Sequence, residues 1–249
     1  MPNWAEAGLW GLVAGSAVVV GAAVAWRFAV PQRVVAAVMA FGAGVLVSAL
    51  AFDLVDEAER TGGLGPTLAG FVGGAVAYVG CNLLLARRGA RHRKRSTGRM
   101  PTETESPGSG AAIAVGALLD GVPESVVLGM SVLHGGGVGV SVLVAIAISN
   151  LPEGLSSAAG MKGSGRSARY VFGVWSVIAL ACGLAGLVGA AVLDDASART
   201  VAVITAVAAG AILAMIADTM IPEAFEEAQL YSGLIASLGF ATAFAIGHL

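Results

Sequence analysis

The sequence predicts an all-α, polytopic membrane protein: a bundle of eight transmembrane helices with both termini outside. Three observations predict it. Of 249 residues, 57% are hydrophobic and 12% charged, against about 25% charge in a typical soluble domain, and mean hydropathy is +0.83. The apolar residues fall into repeated spans of about 20, enough to cross a hydrocarbon core of about 30 Å as a helix. Lipid cannot satisfy backbone polar groups, so such spans must be helical. The 36 glycines, which would weaken soluble helices, suit a membrane bundle because small residues let helix backbones approach closely.

Spans are expected at about 7–29, 34–54, 64–86, 110–133, 138–160, 169–193, 200–221 and 230–248. The first follows directly on "MPNWAEAG", which lacks a basic n-region, so no cleavable signal peptide is expected. In the second, "FGAGVLVSALAF" reads as a small-residue packing surface. Arg27 and Arg33 flank the first connection, "RRGARHRKRSTGR" fills the third, and Lys162, Arg166 and Arg169 fill the fifth. The second connection reads "DEAERTGGLGP", the fourth "LHGGGVG" and the sixth "DDASART". Basic residues thus alternate, which places the odd loops in the cytoplasm and both termini outside. The seventh connection, "IPEAFEEAQLYS", is cytoplasmic by this count yet acidic. Residues 1–249 form a single transmembrane domain with a cytoplasmic linker at about 88–109. No soluble domain and no nucleic-acid partner are expected; the lipid bilayer is one partner. His92, His134 and His248 are weak candidates individually. Cys81 and Cys182 read as small buried hydrophobes.

Ionisable groups inside spans are costly and are functional candidates by default. Here they are Asp53, Asp120, Glu124, Glu153 and Asp218, with no lysine or arginine deep in any span. Such carboxylates hold protons or wait for a cation. Asp120 and Glu124 share a helix face, as do Ser149 and Glu153. Pro123 and Pro152 each precede the glutamate and strip the Leu119 and Ile148 carbonyls of their helical partners. Kinked helices are tolerated at membrane depth where freed backbone lines a cavity. The carboxylates, Asn150, Ser149, Ser125 and the freed carbonyls make an oxygen-rich set suited to divalent cations. One such motif could equally be a proline kink beside a protonated glutamate; two copies at matching depth favour a site. Asp53, Asp56 and Glu57 end the second span outside. Asp218, Glu223, Glu226 and Glu227 end the seventh inside. The similar strings "DEA" and "PEA" facing opposite compartments suggest inverted repeats around a midplane site.

Eight spans, outside termini, a variable loop after the third span and paired proline–glutamate motifs resemble the ZIP (Zrt/Irt-like) family of divalent metal transporters. "SNLPEG" is similar to that family's His-Asn-x-Pro-Glu-Gly signature, "DGVPES" is a degenerate version of it, and "IPEAFE" is similar to its helix-end motif. Asp120 and Ser149 stand where the family has histidine, Gly121 stands for an asparagine, and Asn150, Glu124 and Glu153 are retained. The sixth span offers Ser176 and Cys182 where the family often adds a carboxylate. The resemblance implies one metal site from Asp120, Glu124, Asn150 and Glu153, joined by Ser149, with Asp53, Asp56, Glu57, Asp218 and Glu223 along the entry and exit path. It implies a non-enzyme without a permanent cofactor that carries Zn²⁺ by family default, with Mn²⁺ and Fe²⁺ as competitors because oxygen donors suit harder ions than imidazole does, and Cd²⁺ as a further candidate ion. A homodimer stays open. Composition suggests a bacterial inner membrane. A proton-linked carrier of another solute, a degenerate non-transporting relative and an intramembrane hydrolase built on Asp53 and Asp218 are the alternatives.

Overall fold

The computed structural model describes residues 1–87, 109–133, 138–228 and 231–248; most of the linker at 88–109, with His92, and also His134 lie outside them. Among the described residues there are helices and turns and no strand. Helix α1 is Asn3–Arg27, α2 Gln32–Gly62, α3 Leu64–Leu85, α4 Ser109–Leu133, α5 Val140–Gly163, α6 Ala168–Leu193, α7 Ala198–Ala228 and α8 Ser232–Ile246. Seven of them are long and apolar enough to cross a membrane. The eighth expected span, α8, is apolar but has 15 residues, which at about 1.5 Å each reaches only about 22 Å.

Two acidic stretches expected as connections prove to be helix. In α2 the chain passes through a π-helical segment, Leu50–Val55, into the α-helix Asp56–Gly62. In α7 a second π segment, Ile216–Met220, leads into the α-helix Ile221–Ala228. Glu and Ala are good helix formers, so charge ends the apolar run without ending the helix. Each π segment carries an aspartate, Asp53 or Asp218. π turns occur often at functional sites. Gly63, at φ 81° and ψ 163°, stops α2 in a conformation that essentially only glycine adopts.

Glycines set the helix pairing. A Cβ at Gly44 would strike the Ala236 carbonyl of α8 and one at Gly239 would strike that of Phe41, so α2 and α8 lie backbone to backbone. Gly74 and Gly210 join α3 to α7 in the same reciprocal way, against Val207 and Phe71. Gly21 and Gly154 do so for α1 and α5, against Leu151 and Val18. Interior position then divides the helices. About two thirds of the apolar windows of α2 and α5 is buried, against 17% for α3. Helices α4 and α5 scarcely touch each other; α1 packs along both, and α6 packs extensively on α1 and α4.

Candidate metal site between the fourth and fifth helices

The buried polar side chains concentrate where the two motifs fall. Asp120, Glu124 and Ser125 on α4 and Ser149, Asn150 and Glu153 on α5 are all at most 5% exposed. Among the described residues the buried charged groups are all acidic: these three carboxylates and Glu223. Both helices continue through Pro123 and Pro152 as α-helix, so each proline costs its helix a hydrogen bond rather than breaking it. The Pro152 ring is seated against α2, where a Cβ at Gly42 would lie 3.2 Å from its Cγ.

Several of these groups are anchored by named partners. Asn150 donates from Nδ2 to the Ala14 carbonyl of α1 at 3.0 Å, which fixes the orientation of its amide. Ser149 donates to the Ile146 carbonyl at 2.9 Å and Ser125 to that of Gly121 at 2.8 Å, so both hydroxyl protons return to their own helices. Asp120 accepts a hydrogen bond of 2.7 Å from the Tyr78 hydroxyl of α3. Cys182 of α6, read from sequence as inert packing, shares a side-chain hydrogen bond with Ser125 and lies in the electrostatic reach of both Glu124 and Glu153. Its thiol faces Gly121, where a Cβ would come within 2.9 Å of Sγ.

The expected ligands thus share one interior, but they are not gathered as a cage. Among the described residues no three His, Cys, Asp or Glu side chains form a metal-holding group.

The remaining candidate acids fall in two places. Asp53 and Asp56 line a cavity of about 280 Å³ with Ser48, Phe52, Arg60, Phe244 of α8 and His248 just beyond its end. Asp56 pairs with Arg60 at 2.9 Å, and Glu57 lies half-buried on the same helix end. His248, weak by sequence, stacks on Phe244 at 4.2 Å between ring centroids. Near the end of α7 Asp218 is exposed and accepts from Asn82 of α3 at 3.4 Å. Glu223 is buried, unlike a solvated helix end, and accepts from Ser156 of α5 at 3.1 Å. The side chains of Glu226 and Glu227 lie outside the described residues.

No protein-family model matches the chain. The chain is similar to a protein of Arabidopsis thaliana named "Putative zinc transporter", with 28% identity over 203 residues. That alignment covers 75% of this chain and 29% of the plant protein, so the chain spans less than a third of its relative's length.

Proposed function

We propose that this chain is a ZIP-like divalent metal transporter that moves M²⁺ inward through the carboxylate-rich interior of α4 and α5. The observation that carries the reading is the burial of Asp120, Glu124 and Glu153 beside Asn150 with no buried lysine or arginine among the described residues. Such an interior lacks positive charge, and a divalent cation supplies it. The likeness to a protein named as a zinc transporter supports the same class and makes Zn²⁺ the default cargo. Mn²⁺ and Fe²⁺ compete because the donors are mostly oxygen.

In this reading α8 is an eighth crossing, its shortness met by local thinning of the bilayer, and both termini lie outside a bacterial inner membrane. The ion enters past Asp53, Asp56 and Glu57, binds as α4 and α5 close around it, and leaves toward Glu223 and Asp218. Rocking of one helix group against the other alternates access. The Ser156–Glu223 bond ties α5 to α7 on the exit side, so release requires that tie to open. Two charges moving inward at 100 mV gain about 4.6 kcal/mol, so the membrane potential alone can accumulate the ion.

The test is uptake of Zn²⁺, Mn²⁺, Fe²⁺ and Cd²⁺ into proteoliposomes, wild type beside Glu153→Gln. Uptake lost in the variant supports the transporter. A well-folded wild type that moves no divalent ion would leave a proton-linked carrier or a non-transporting relative, to which the ungathered ligands would then belong.

A further inference from the structure

We propose that Tyr78 is a positioning residue for metal binding: its hydroxyl holds one oxygen of Asp120 so that the carboxylate meets the ion through the other. This rests on the metal reading above and deepens it. The argument starts from α3, the most exposed of the long helices. Its buried residues are Thr67, Gly70, Gly74 and Tyr78, which fall on one face of a helix. Gly70 and Gly74 dock that face against the Val203 and Val207 carbonyls of α7. Tyr78, one turn on, is the large side chain that α3 sends inward, and it is 2% exposed. It does not pack on α7 alone, because its hydroxyl reaches Asp120 on α4 at 2.7 Å. Helices α3 and α4 touch little elsewhere, so the bond is not a by-product of a broad interface.

The chemistry of the donor matters. Lysine or arginine at this place would neutralise Asp120 and compete with the cation. A phenol fixes the carboxylate and leaves its charge in place. Its length suits an O–H···O⁻ bond, which is shorter and stronger than a neutral one. With one lone pair of Oδ1 spent on the phenol, Asp120 is biased toward meeting an ion through Oδ2 alone. Small ions such as Zn²⁺ take carboxylate oxygens at about 2.0–2.2 Å in sets of four, whereas Ca²⁺ collects 6–8 oxygens and readily uses both of one carboxylate. Tyr78 therefore favours the small ion as well as ordering its ligand. Asn82, one further turn along α3, donates to Asp218, so a single helix supplies neutral donors to both aspartates.

The experiment is calorimetric binding of ZnCl₂, MnCl₂ and CaCl₂ to the purified full chain in detergent. It compares wild type, Tyr78→Phe, Asp120→Ala and the double variant, each with a melting curve. Loss of a hydrogen-bonding partner behind a ligand typically costs 10–100-fold in metal affinity. Tyr78→Phe should weaken Zn²⁺ by about that factor, narrow the preference for Zn²⁺ over Ca²⁺, and add nothing once Asp120 is alanine. Unchanged Zn²⁺ binding in Tyr78→Phe, or an undiminished effect in the Asp120→Ala background, would overturn the proposal while leaving the transporter intact. A Tyr78→Phe chain that no longer folds would assign the residue to folding and overturn it too. A wild type that binds none of the three ions would take down the metal reading itself.

Discussion

Gly129→Ala is a one-methyl perturbation whose sign the structure decides. Gly129 lies on α4, five residues from Glu124, and a Cβ there would sit 2.6 Å from the Gly186 carbonyl oxygen of α6. Ordinary contact begins at 3.4 Å, so the helices must part by 3.4 − 2.6 = 0.8 Å. The obstacle is backbone and cannot swing aside. Replacing a helical glycine by alanine should gain about 0.5–1 kcal/mol, whereas overpacking costs about 1–3 kcal/mol. The clash wins, by roughly 1–2 kcal/mol. At about 2–4 °C per kcal/mol for a chain of this size, the melting point should fall by about 2–8 °C and the protein should still fold. Ligand geometry is the more sensitive reporter, because a shift of about 1 Å can cost 10²-fold in a positioned site. Zn²⁺ uptake should therefore drop at least about tenfold. Gly173→Ala on α6, with nothing within 4 Å of its Cβ, is the control and should melt at or above wild type with normal uptake. The reasoning fails if Gly129→Ala melts and transports like Gly173→Ala.

Other outcomes follow from the same contacts. Asn150→Ala should cost only about 0.6–1.7 kcal/mol of stability for its bond to Ala14 yet remove most uptake, a split visible by pairing melting curves with transport. Ser156→Ala removes the tie between Glu223 and α5 and should raise the release rate in a stopped-flow efflux assay by about tenfold or more, since one hydrogen bond to a charged group is worth about 1.5–3 kcal/mol, while equilibrium binding of Zn²⁺ changes far less. Gly63→Ala should destabilise by about 1–3 kcal/mol despite open space around it, because its backbone conformation is essentially glycine's alone. Single cysteines at Thr61 and Ser164, in a chain lacking Cys81 and Cys182, should be labelled from opposite sides of the membrane.

The seven long spans were legible because hydropathy over about 20 residues is a strong signal, and Asp120, Glu124, Asn150 and Glu153 stood out as polar groups in apolar runs. The ends of α2 and α7 were not. There the helix outlasts the apolar residues, and no sequence pattern announces a π turn at Asp53 or Asp218. Glu223 stands in an acidic run with Glu226 and Glu227, but the helical continuation turns it toward Ser156. Tyr78 carries no motif, although Gly70, Gly74, Tyr78 and Asn82 recur at fours and a helical reading could have grouped them. Cys182 was dismissed because a thiol in an apolar span is usually filler, and its neighbours Ser125, Glu124 and Glu153 are brought to it only by tertiary packing.

The reciprocal glycine joints between α2 and α8, and between α3 and α7, rest main chain on main chain. A joint of that kind is indifferent to the side chains that flank it. The lipid-facing residues of these helices can be exchanged freely among apolar types, and the fit does not notice so long as the glycines remain. Kinship in such a bundle would be recorded in the spacing of its smallest residues, and would outlive the larger letters by which relatives are ordinarily recognised.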